Sequence, residues 1–104
     1  MDSNASQAGL ILDRIQHHKG VLGVIVVSPD SLSIRSSMDN SATVQYIGMA
    51  KTLTTMSRGV VRDLNPQDDL MILRIRTKKS EIIIAPERTA NEREFQVITI
   101  QECQ

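Results

Sequence analysis

Between Val21 and Val27 the chain is apolar and mostly β-branched, broken only by Gly23, with no alternation of polar residues. Such a run reads as a strand covered on both faces, and so as a central strand of a sheet. Everything else must be arranged around it. With 104 residues the chain has room for one core, because two halves of this size would each bury too little surface to be stable. The expectation is a single domain over residues 1–104 with short flexible ends. Aromatic residues are limited to Tyr46 and Phe95, so Ile, Val, Leu and Met must fill the core.

Before this strand, Ala8, Ile11, Leu12 and Ile15 recur at i, i+3, i+4 and i+7, which predicts an amphipathic helix. Asn4 and Gln7 fit a capping pair at its start, and Gly20 after His17, His18 and Lys19 fits a stop. After the strand, Ser28, Pro29, Asp30 and Ser31 have turn chemistry, and Leu32 and Ile34 alternate with Ser33 and Arg35, which predicts a hairpin. Asp39, Asn40 and Ser41 are N-cap candidates for a long helix reaching about Asp63. On that helix Tyr46, Met49, Ala50, Leu53, Met56 and Val60 share one face, expected to cover the sheet. Val44 and Ile47 point elsewhere at about 100° per residue, so a second apolar stripe is left for another surface.

Pro66 biases its predecessor away from helical geometry and ends the helix. Leu70 to Arg76, Glu81 to Ala85 and Phe95 to Ile100 are β-rich runs, and Glu87 to Glu94 reads as a mobile hairpin loop. The order α-β-β-α-β-β-β, an α/β (α+β) class, requires a mostly antiparallel sheet with helices over one face.

The chain offers little for catalysis. Adjacent His17 and His18 project about 100° apart on a helix and cannot share one ion. Gly20 and Gly23 precede a strand, whereas phosphate loops follow one and open a helix. No Gly-x-Ser-x-Gly elbow is present, Asp68 and Asp69 sit in a polar turn, and Cys103 has no basic neighbour in sequence. The single cysteine closes no intramolecular disulfide, which suits a reducing compartment. Formal net charge is zero, so no overall field attracts nucleic acid or anionic lipid. No run approaches a membrane span of roughly 20 apolar residues, and no leader is evident. The expectations are no enzyme, no cofactor, no metal, no nucleic acid and no membrane insertion. Arg74, Arg76 and Lys78 fall on one side of a strand and turn, which reads equally as a charged edge that blocks stray strand pairing or as a partner-binding patch.

The segments RIQHHKGVLGVIVV, IRSSMDNSATVQY and VRDLNPQDDLMILRIRTKKSEIIIAPE, in this order and spacing from Arg14 to Glu87, resemble the roadblock dynein light chains. The stretches His18 to Val21, Met38 to Ser41, Val61 to Pro66 and Leu73 to Arg76 carry the likeness. The resemblance implies a roadblock-type five-stranded antiparallel sheet of order 2-1-5-4-3 and a homodimer, or a heterodimer with a roadblock relative. In such dimers the long helices pack together and the third strands meet in a ten-stranded sheet. Val44, Ile47, Leu70 and Ile72 would lie in the dimer interface, with Arg74 and Arg76 at the dimer or partner edge. The function implied is a non-catalytic accessory light chain of the dynein motor complex in the cytoplasm. It would bind the dynein intermediate chain on the microtubule cytoskeleton and contribute to cargo attachment and transport. The alternative is a scaffold or regulator of a small GTPase. Two departures mark a diverged paralogue: Ser31 stands where the family usually has Gly, so a positive φ there would be strained, and the loop Glu87 to Glu94 is longer than usual.

Overall fold

The computed structural model describes residues 3–103, so the outermost positions of the expected flexible ends lie outside the described residues. Helix α1 (Ser3–Gln16) leads into β1 (Val21–Val27) and β2 (Ile34–Ser36). Helix α2 (Asn40–Leu64) follows, then β3 (Leu73–Arg76), β4 (Ser80–Arg88) and β5 (Glu94–Glu102). The strands form one antiparallel five-stranded sheet in the order β2-β1-β5-β4-β3. The unalternated run of Val21 to Val27 is thus an interior strand, flanked by β2 and β5.

The expectation that both helices cover one face is corrected by the packing. Val24 and Val26 of β1, with Phe95 and Val97 of β5, are buried against Ala8 and Ile11 of α1. Ile25 and Val27 of β1 and Ile98 and Ile100 of β5, at the other parity of their strands, point the opposite way and join Ile82, Ile84 and Ala50 beneath α2. Strand side chains alternate between faces, so a strand apolar at both parities needs a cover on each side. Each fully buried Ile, Val or Phe of these layers contributes about 1.5–3 kcal/mol from removal of apolar surface from water.

The orientation of α2 also differs from the reading of its sequence. The line that meets the sheet is Thr43, Ile47, Ala50, Thr54 and Ser57, at helical spacing, with Thr43 and Ala50 buried and the others half-buried. Ile47 packs on the core under α2, and Gln96 of β5 donates through Nε2 to Thr54 Oγ1 at 3.4 Å. Tyr46 and Met49 touch the same core from one side, while Met56 and Val60 are 63% and 58% exposed. Small polar residues can lie close over a flat sheet, which turns the bulkier apolar stripe onto the helix flank.

Several ends also shift. Asp39 is the N-cap of α2, its carboxylate accepting from the Ala42 N–H at 2.7 Å. Asn4 lies inside α1 rather than capping it: its amide bonds the Asp30 carboxylate and the Arg93 guanidinium instead. Gly20 ends the first helical region with φ 85°, left-handed geometry open to glycine. Leu70 and Ile72 precede β3 rather than belonging to it, and Glu87, Arg88 and Glu94 of the expected loop Glu87 to Glu94 are strand. The connection left between β4 and β5 is closed by the Thr89 N–H to the Arg93 carbonyl at 2.9 Å and by an Arg88–Glu94 ion pair at 3.2 Å.

Candidate protein-docking surface

Among the described residues the strand order leaves β3 paired on one side only, with β4, so its outer edge is open. The apolar flank of α2 rises beside this edge. Near its start, Gln45, Tyr46 and Met49 form a groove of about 390 Å³ with Ile82 of β4. Farther along, Leu53, Met56, Val60 and Leu64 continue the flank at helical spacing, from half-buried to exposed. Leu70, Met71 and Ile72 follow in the segment that returns to β3, and Met71 and Ile72 are exposed. That segment is held to the helix by Asp69, which faces Arg58 at 3.3 Å and Arg62 at 3.4 Å. The Leu70 backbone N–H, then the two guanidinium groups, hold the Asp69 carboxyl below its ordinary range. A single protomer therefore carries a run of large apolar side chains in water next to unpaired strand backbone.

Arg74 and Arg76 lie on the sheet face opposite α2, since Leu73 and Ile75 between and beside them pack under that helix. Arg74 donates to Glu81 Oε1 at 2.8 Å, and Gln101 Nε2 donates to the same oxygen at 3.1 Å. The hydrogen bond from Arg74 is the main reason that the Glu81 carboxyl is held low, and the same bond raises the guanidinium. These residues border a shallow depression of about 200 Å³ with Arg76, Glu102 and Cys103. Cys103 Sγ donates to the Thr77 carbonyl at 3.4 Å.

The residues singled out from the sequence as an interface are not brought together. Leu70 and Ile72 precede β3 at one edge of the sheet. Val44 and Ile47 lie toward the other edge, beside Ile34 and Met38 next to β2. Met49 packs on the core as its helical position predicts, whereas Met56 and Val60, expected on the same covering face, are exposed and continue the flank into water. The sequence reading missed a polar clasp in which the Asp30 carboxylate takes hydrogen bonds from Ser28 Oγ, Asn4 Nδ2 (3.2 Å) and the Leu32 N–H (3.0 Å). The bonds from Ser28 and Leu32 are local to the turn that the sequence marks, whereas the one from Asn4 comes from α1 and has no signal in residue spacing.

The features set aside for chemistry stay local. His17 and His18 are exposed, and His17 Nδ1 meets the Asp13 carbonyl of the preceding turn. Asp68 accepts from the Asp69 N–H at 2.8 Å. Among the described residues no group of three or more His, Cys, Asp or Glu is placed to hold a metal ion.

Two comparisons bear on this architecture. The Roadblock/LC7 domain profile matches residues 7–90. The crystal structure of a Roadblock/LC7 domain from Streptomyces avermitilis superposes with a TM-score of 0.66 at 12% identity, covering 98% of this chain and 78% of that one. At that identity the superposition speaks for the fold, and the profile, spanning most of the sequence, speaks for the lineage. The chain belongs to the Roadblock/LC7 domain family.

Proposed function

We propose that the protein is a non-catalytic adaptor that works as a dimer and serves as an accessory light chain of a dynein motor, holding its intermediate chain. The observation that carries the dimer is the juxtaposition of the exposed α2 flank with the open edge of β3. Exposed apolar stripes of this kind belong to interfaces, and a twofold contact would bury Met49, Leu53, Met56 and Val60 against their own copies. Antiparallel pairing of β3 with its symmetry mate would satisfy the edge and join two five-stranded sheets into ten strands. In this arrangement Leu70 and Ile72 lie at the rim, and Arg74 and Arg76 line the face opposite α2, where a partner segment can reach them. The intermediate-chain assignment rests on the likeness of His18 to Val21, Met38 to Ser41 and Val61 to Pro66 to roadblock light chains, with the cytoplasmic microtubule cytoskeleton as the site of action.

The test is retention of a dynein intermediate-chain segment by the purified, folded dimer. A dimer that does not retain the segment, but binds a small GTPase in a nucleotide-dependent way, would replace the motor role with that of a GTPase scaffold.

A further inference from the structure

Among the described residues the sheet has a second open edge, β2, on the side away from β3. The Ser28 N–H donates to the Ser33 carbonyl at 2.9 Å and the Ser37 N–H to the Val24 carbonyl at 3.0 Å. With Val26 opposite Arg35 in the register, these bonds set the alternation of an antiparallel pair. The backbone of Arg35 faces β1, and the N–H and C=O groups of Ile34 and Ser36 point outward.

A groove flanks this edge on each face of the sheet. On the α2 side, Ile34, Met38, Val44 and Ile47 contribute apolar walls to a space of about 450 Å³. On the α1 side, Ala5, Gly9 and Leu12 help to line a space of about 520 Å³. Arg35 and Ser36 border both. Two grooves on opposite faces that meet at an unpaired strand are what strand addition requires: the backbone pairs with the edge, and alternate side chains drop to one side and the other.

The chemistry of the two sides differs. Ile34 and Val44 are 46% and 71% exposed, so the α2 side favours Val, Ile or Leu. On the α1 side Arg35 takes part in no ion pair among the described residues. Asp13, on the far wall of that groove, accepts from Gln16 Nε2 at 3.3 Å. A residue directly opposite Arg35 in an added strand would stand roughly 5 Å away and would be favoured as a carboxylate. A second copy fits poorly, because twofold pairing of β2 about Arg35 would set Arg35 against Arg35.

We infer that the β2 edge is a docking site for an extended segment of a partner protein, apolar at alternate positions on the α2 side and carrying a Glu or Asp opposite Arg35. The site lies outside the α2 flank and the β3 edge, so it stays open in the proposed dimer, once per protomer. The test is a titration of the full chain, followed by amide NMR, with a capped peptide TVTVEVTVT and its charge-swapped form TVTVKVTVT. The expected result is shifts at Ile34, Arg35, Ser36 and Val44, with slowed exchange of the Ile34 and Ser36 amides. Arg35→Glu should weaken the glutamate peptide at least tenfold and make the lysine peptide the tighter ligand. Shifts confined to the β3 side, no binding, or affinities indifferent to Arg35→Glu would overturn the inference. So would association of the chain with itself through β2 in the absence of peptide. Sedimentation of the same samples reports the dimer separately, so loss of one reading is distinguishable from loss of the other.

Discussion

Met38 lies across Gly23: a Cβ placed on Gly23 would stand 2.8 Å from Met38 Sδ and 2.9 Å from its Cγ. Gly23 follows Leu22 at the irregularity where β1 shifts register against β5, and the methionine closes over the bare backbone there. Gly23→Ala should destabilise the fold by about 1 kcal/mol, the low end for overpacking, because an unbranched thioether can swing aside. Gly23→Val should cost more. Chemical denaturation checks both, and Met38→Ala combined with Gly23→Ala should show coupling rather than additivity.

Ser31 adopts φ 63°, the left-handed region in which a Cβ is strained. Its N–H donates to the Ser28 carbonyl at 2.9 Å, closing the turn. Ser31→Gly should stabilise the protein by about 0.5 kcal/mol, a strain relief of about 1 kcal/mol partly offset by the looser unfolded chain. Ser31→Val should destabilise it, and thermal unfolding of the two variants should move in opposite directions.

Sedimentation of flank variants tests the dimer. Val60→Asp and Met56→Asp should give folded monomers, because a charge in an apolar contact between copies costs several kcal/mol. Val44→Asp, on the side toward β2, should leave the association state unchanged. Ile47→Asp should lower the stability of the protomer itself, since Ile47 rests on the core beneath α2.

Acid should weaken the fold through three carboxylates. Glu81, Asp30 and Asp69 are all held below their ordinary range: Glu81 first by Arg74, Asp30 first by the Ser28 hydroxyl, and Asp69 first by the Leu70 N–H. A depressed folded-state pKa gives a contribution that is present above the unfolded value and is lost as pH falls through the folded one. Stability should be flat near neutrality and should decline below about pH 4. Asp30→Asn should make that decline shallower, as measured by urea unfolding across the acid range.

The apolar run of β1 made its interior position readable from the sequence, as did the alternation that placed Leu73 and Ile75 opposite Arg74 and Arg76. The second cover of the sheet was written in β5, where Phe95 and Val97 occupy one parity and Ile98 and Ile100 the other, but single helices do not announce which face they choose. The docking flank was hidden for a different reason. Periodicity marks which residues of α2 are apolar, and the sheet selected the line through Thr43, Ala50, Thr54 and Ser57 because it permits a close approach. Large side chains that look like core thus became surface. The groove on the α1 side of β2 joins that strand to a helix on the far side of β1 in the chain, and the one on the α2 side joins the consecutive elements β2 and α2 across a turn of the backbone that residue spacing alone does not reveal.

The position of β5 bears on synthesis. It lies between β1 and β4, so the hairpin of β1 with β2 and the pair of β3 with β4 share no direct strand contact until β5 slides between them. A nascent chain that has delivered α2 and four strands still presents raw strand edges on both inner sides, open to misassociation. Residues such as Ile98 and Ile100 act as a late keystone: folding is expected to switch on sharply when they clear the ribosome, and a stalled chain lacking them should depend on chaperones.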